Sequence, residues 1–297
     1  MQHQLKGGNE LLSRIRYPRV AGSFYAGSEA ALRRQIEGCF THRFGPGQLP
    51  KLDRKGPRKI FGLVCPHAGY VYSGPVAANA YYRLSSDGPP ELFVILGPNH
   101  YGVGSGVAVM DSGVWRTPLG DVEIDMDAAR ELVRRSGIID IDESAHAHEH
   151  SIEVQLPFLQ YIFGSSFRLV PICFLMQDID TCREVGEALR GMLEGKNAVV
   201  IASTDMTHYE PHKRATEKDE KALDAVLKLD EGLFYSILRS YNVSVCGYGP
   251  VATLITAASK SGVSKAELLS YKTSGDITGD KSGVVGYAAI AFEKQRT

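Results

Sequence analysis

Net charge is what this sequence has least of: 33 Lys+Arg stand against 34 Asp+Glu, leaving −1 over 297 residues. Such a balance supplies no field to draw in a phosphate backbone or an anionic bilayer, so neither nucleic acid nor a membrane surface is an expected partner. Nowhere do about 18 apolar residues run together as a membrane span needs. The opening MQHQLKGGNELLSRIR has no apolar signal-peptide core either. A cytoplasmic location is the expectation. Cysteine is also scarce. Cys39, Cys65, Cys173, Cys182 and Cys246 are too few, and odd in number, for the disulfide framework of a small secreted domain, so at least one thiol is free. Internal repeats, low-complexity tracts and Pro/Ser-rich linkers are lacking. The stretch TSGDITGDKSG (273–283) has neither Walker A nor dinucleotide-loop spacing, and reads as a mobile loop that at most rims a pocket.

What is present is ordinary globular composition, 43% hydrophobic and 23% charged, which sets aside disorder and fibrous repeats. Short apolar, β-rich runs at 60–65, 91–96, 168–173, 198–203 and 284–292 read as buried strands. Helical patterns lie between them, near 29–40, 75–84, 127–135, 152–163, 179–194, 215–228 and 250–260. Near-continuous hydrophobic strands alternating with helices predict an α/β fold: a three-layer sandwich whose central, mostly parallel or mixed sheet carries helices on both faces. The segment 106–125 alternates and carries Gly and Pro turn signals, so antiparallel strands are expected there. Residues 1–15 are expected to form a flexible leader and 16–297 a single domain.

In open α/β sheets, ligands bind beyond the carboxyl ends of the strands. The strand at 60–65 is followed by Pro66-His67-Ala-Gly-Tyr70, that at 91–96 by Gly97-Pro-Asn99-His100, and that at 198–203 by Thr204-Asp205-Met-Thr-His208. Any single loop histidine is more often solvated than a ligand, but three at three strand ends point to one pocket. Cys246, after a short apolar run and before the helix near Pro250, adds an anionic donor. Two imidazoles with one anionic side chain suit non-haem iron or catalytic zinc. His67, His100 and Cys246 are therefore the candidate metal ligands. His208 is the candidate acid/base group, with Asp205 fixing its tautomer or charge. His146 and His148 sit in a polar loop and read as solvated. His150 and Glu153 open an apolar helical segment on one face, and with Tyr70 and Asn99 are counted as residues that line or orient the pocket. Gly74-Pro75 suits a close backbone approach to a ligand or a plain turn.

Seven motifs in order resemble the Memo family. They are Arg16-Tyr-Pro-Arg-Val-Ala-Gly-Ser-Phe-Tyr25, Pro66-His-Ala-Gly-Tyr70, Leu96-Gly-Pro-Asn-His100, Arg116-Thr-Pro-Leu119, Glu149-His-Ser-Ile-Glu153, Ser203-Thr-Asp205 with His208, and Cys246-Gly247. The resemblance implies a fold similar to the class III extradiol ring-cleavage dioxygenases, in which two histidines and a glutamate hold Fe(II). His67 and His100 match the histidines and His208 the acid/base group. Cys246 stands where those enzymes have a carboxylate, so ring cleavage is not carried over. The resemblance implies a bound metal, Fe(II) or Cu ahead of Zn. It also implies partners of AMMECR and radical-SAM type.

Three readings follow. The first is a metal-dependent redox enzyme or metal-handling protein. The second is a hydrolase with Cys246 as nucleophile, activated by His208 and Asp205. The third is a non-enzymatic module that binds an anionic peptide or small ligand.

Overall fold

The computed structural model describes residues 14–294. The leader expected over 1–15 falls mostly outside that span, and Ile15 at its end is already paired in a strand. Among the described residues one sheet holds β1 (Ile15–Arg16), β2 (Ile60–Cys65), β3 (Leu92–Pro98), β4 (Val107–Val109), β5 (Val114–Thr117), β6 (Gly120–Ile124), β7 (Ile139–Ile141), β8 (Arg168–Phe174), β9 (Ala198–Ser203), β10 (His208–Glu210), β11 (Val263–Thr273) and β12 (Val284–Lys294). The helices are α1 (Glu29–Thr41), α2 (Gly74–Ser85), α3 (Met126–Arg135), α4 (Leu156–Phe163), α5 (Ile179–Leu193), α6 (His212–Leu227), α7 (Glu231–Tyr241), α8 (Tyr248–Ser259) and the short α9 (Ser274–Thr278).

Parallel strands β8, β3, β9 and β2 lie side by side at the centre. Every residue of β2 and β3 is buried, as strands covered on both faces require. One apolar cluster packs Leu32 and Ile36 of α1, Tyr81 of α2 and Phe158 of α4 against one face. A second packs Leu132 of α3, Val185 and Leu189 of α5, Val226 of α6, Phe234 of α7 and Leu254 of α8 against the other. The result is the three-layer α/β arrangement. The sheet is mixed: β12 runs antiparallel to β2 and β11, and β4 antiparallel to β8.

Some elements differ from expectation. Within 106–125, β5 and β6 form the antiparallel hairpin, but β6 runs parallel to β8. The strand β11 and the helix α7 were not expected. The β11 sequence VSKAELLSYKT holds good helix formers, and its pairing with β12 along its length overrides that propensity. In α7 only Phe234 is fully buried, so its apolar stripe is faint. The Asp230 side chain caps Leu233 N–H, and Asn242 closes the helix in the left-handed region. Gly74 opens α2 not for a ligand but for packing, since a Cβ there would stand 2.5 Å from Cys39 Sγ.

Candidate metal centre

Register decides where the chemistry collects. Cys65 of β2 pairs with Ser203 of β9, and Leu96 of β3 with Ala202, so the three strands end level. The loops that follow bring His67, His100, Asp205 and His208 to one cleft of about 560 Å³, which His150 also lines. The donor atoms of His67, His100 and His150 all lie within 4.8 Å of one another, a group that can hold a metal ion.

Hydrogen bonds fix which nitrogen each ring offers. Ser203 Oγ donates to Ser151 O at 2.6 Å and accepts from Gln155 Nε2 at 2.8 Å. Its proton is thus committed, and towards His67 Nδ1, 2.9 Å away, it acts as acceptor. His67 therefore carries its proton on Nδ1 and presents the Nε2 lone pair. His100 is set in the same way: its Nδ1 lies 2.9 Å from Glu149 Oε1, and its backbone N–H donates to Oε2 at 2.7 Å. The His150 ring stacks on His100 at 4.6 Å, and its buried Nδ1 stands 3.5 Å from Glu149 Oε1 without forming a hydrogen bond. Two imidazoles held by outer partners, with a third carrying a free nitrogen, fit a nitrogen-ligated metal.

Electrostatics agree. Burial, followed by the neighbouring His150 and His100, holds His67 well below the ordinary histidine range. Burial likewise takes His150 down to about 4, so both rings are neutral and available as ligands. Burial pushes the Glu149 carboxyl up, but the hydrogen bond from His100 leads the contacts that outweigh it and hold the group well below the usual carboxylate range. His150 N and Ser151 N also donate to this carboxylate.

Cys246 lies outside the three-histidine group and reaches it through His67, with Sγ 3.2 Å from Nε2. It comes from the loop before α8, which follows α7 rather than a strand. Gly247 is required beside it, because a Cβ there would stand 2.3 Å from Ser203 O. Asp205 takes the His67 backbone N–H at 2.9 Å, and burial raises its carboxyl to about 6. The His208 tautomer is fixed not by Asp205 but by Ser244, whose carbonyl accepts from Nδ1 at 2.9 Å.

Three pocket residues expected from sequence face elsewhere. Glu153 is fully buried against the N-terminal segment, where it pairs with Arg16 and accepts from Tyr25 Oη at 2.6 Å. Tyr70 donates to Val154 O inside the core. Asn99 accepts from the backbone of Tyr101 and Gly102 and shapes the loop carrying His100. His146, expected to be solvated, is wholly buried against Trp115 with both ring nitrogens unpartnered, whereas His148 is exposed. The stretch 273–283, expected to be a mobile loop, begins as capped α9 and contributes Ser274, Thr278, Asp280 and Gly283 to the cleft. Glu149 and Ser203 were not singled out in the sequence, though both lie inside the motifs quoted above.

A family model described as Memo-like protein matches residues 16–291. A MEMO1 family protein of Methanopyrus kandleri is 56% identical over 281 residues, 94% of this chain and 99% of that one. Another, from Methanothermobacter thermautotrophicus, is 51% identical over 93% of this chain and 100% of its own. Among solved structures, an uncharacterized protein from Escherichia coli K12 superposes with a TM-score of 0.53 at 14% identity, covering 78% of this chain and 99% of that one. That likeness concerns the fold alone. On the match along nearly its whole length, the chain belongs to the Memo family.

Proposed function

We propose that this protein is a metal-dependent redox enzyme or metal-handling protein, with the ion seated on His67 and His100. The observation that carries the reading is that Ser203 and Glu149 keep Nε2 of each ring unprotonated beside a third imidazole, with the Cys246 thiol in contact with that of His67. His150, within 4.8 Å of both, is the third donor of the group, and Cys246, in contact with His67, is the alternative. Imidazole donors suit iron, copper and zinc alike, and a cysteine nearby favours the softer states of copper. Bound there, the metal supplies Lewis acidity and, for iron or copper, one-electron chemistry. The protein's own contribution is a proton at His208. With Nδ1–H spent on Ser244 O, Nε2 can take or return a proton at the cleft. Association with AMMECR-type and radical-SAM proteins belongs to the same proposal and rests on the family alone.

The cysteine-nucleophile reading finds Cys246 beside an imidazole, but that imidazole is His67, not His208. Burial, then the Asp205 carboxylate, pushes the thiol up to about 12, which opposes a nucleophile at neutral pH. For the anionic-ligand module, no Lys or Arg lines the cleft among the described residues.

The test is elemental analysis of protein purified without oxygen, beside His67→Ala, His100→Ala, His150→Ala and Cys246→Ala. About one iron or copper per chain, lost in the two first variants, supports the reading. Zinc alone moves it from redox to hydrolytic chemistry. No metal, with none taken up when iron, copper or zinc is offered, overturns it.

A further inference from the structure

The mouth of the cleft is aromatic, and one of its rings is held there at a cost. Tyr209 lies between His208 and Glu210 on β10, whose pairing with β12 skips a register: His208 faces Val285 and Glu210 faces Val284. Tyr209 is the extra residue of that β-bulge. Bulges re-aim side chains, and they gather beside functional sites. Its φ of 58° is in the left-handed region, uncommon for a residue with a large side chain. The ring it throws outward is 81% exposed, yet it lines the cleft. The same cleft is lined by Phe24, Val71 and Tyr72, the last two 63% and 43% exposed, and by Tyr287 and Val285.

Charge narrows what these rings face. Apart from the tyrosines, the ionisable side chains lining the cleft are His67, His100, His150, His208 and two carboxylates, Asp205 and Asp280. A ligand carboxylate or phosphate lying away from the metal would meet those carboxylates with no Lys or Arg in the lining to offset them. An uncharged ring would instead bury the exposed faces of Tyr72 and Tyr209 and gain aromatic contact with both.

We propose that the cleft takes a ring-bearing ligand whose ring carries no anionic substituent, and that Tyr209, placed by the bulge, is the specificity-determining residue that closes on it. This rests on the cleft being the working site of the proposed function, but not on the metal being present. The strain at Tyr209 is retained because the ring is needed where it stands, not because the fold needs it.

The test uses the metal-free protein at pH 7 and two probes of one shape, neutral 2-naphthol and the 2-naphthoate anion. Binding is followed by ligand-observed NMR and probe fluorescence. The expected result is naphthol binding at least about tenfold tighter than naphthoate. Tyr209→Phe keeps that affinity, and Tyr209→Asn, which tolerates the left-handed backbone, weakens it about fivefold without lowering Tm. Naphthoate binding as tightly as naphthol overturns the inference, as does a Tyr209→Asn variant that binds naphthol like the parent. A fall in Tm for Tyr209→Asn with naphthol affinity intact makes Tyr209 structural and overturns it too. Iron and copper uptake is measured on the same preparations. Uptake without ring binding removes this inference alone, and selective ring binding without uptake supports it while removing the metal reading.

Discussion

Glu149 grips His100 at two points, its carboxylate taking the ring Nδ1–H at 2.9 Å and the backbone N–H at 2.7 Å. The same carboxylate accepts the backbone N–H groups of His150 and Ser151, so one fully buried acid orients the His100 ring and holds the backbone that carries His150. Outer partners of this kind set both the tautomer and the basicity of a ligand. Glu149→Gln is therefore expected to weaken metal binding about 10–100-fold. Competition against a chelator, with circular dichroism to show that the variant folds, checks this. Affinity equal to the parent's would mean that the His100 ring is held by something other than Glu149.

A second expectation concerns acid. Burial, then the charge of Arg16, takes His146 down to about 4, against 6.5 for an unhindered histidine. The unfolded chain therefore binds this proton between about pH 6.5 and 4 while the folded chain does not. The contribution is fully present above pH 6.5 and is lost as pH falls towards 4, by roughly 3 kcal/mol. Neither ring nitrogen makes a well-formed hydrogen bond, although the Ala108 backbone lies close enough to favour the charged ring, so an apolar side chain loses little there. His146→Leu should flatten the fall in Tm between pH 6.5 and 4.5. A variant whose pH profile parallels the parent's would place the acid sensitivity elsewhere.

Glu153 accounts for how the N-terminal segment is held. It pairs with buried Arg16, takes the backbone N–H of Arg19 at 2.9 Å and of Val20 at 3.1 Å, and accepts from Tyr25 Oη. Arg16 in turn lies over Trp115, with its Cζ 4.4 Å from the ring centroid. Removing one partner leaves the other as an uncompensated buried charge, at a cost of about 3–5 kcal/mol. Glu153→Ala is expected to lower the urea midpoint accordingly, with metal per folded chain unchanged. Loss of metal from the folded fraction would restore Glu153 to the site.

The sequence made the central strands legible because parallel strands buried on both faces read as continuous apolar runs, and β9 matches its expected 198–203 span. His67, His100 and His208 were legible because each follows such a strand. Glu153 and His150 were read together from their spacing, yet only His150 lines the cleft; the partners of Glu153 are Arg16 and Tyr25, more than a hundred residues away. Tyr209 was hidden for a related reason. A bulge is a property of two paired strands, and β10 has only three residues to announce itself. Long-range hydrogen bonds and register leave no local period to read.

Ser203 gives the sharpest test of how the centre is prepared. Its one proton is spent on Ser151 O, and besides accepting from Gln155 Nε2 it has one acceptor lone pair left, so His67 Nδ1 must be the donor between them. That in turn aims the Nε2 lone pair towards Cys246 and the other rings. Ser203→Ala removes the acceptor in a site with no exposure to solvent, and should cost about 1–3 kcal/mol of stability. Without that acceptor, nothing holds the proton on Nδ1, and the ring can carry it on Nε2, where it blocks coordination. Nitrogen NMR of the metal-free variant should show His67 moving away from the Nδ1–H form, with metal affinity down about 10–100-fold. A variant that loses stability but keeps both the tautomer and the affinity would show that Ser203 only fills space, and that His67 is aimed by Asp205 through its backbone.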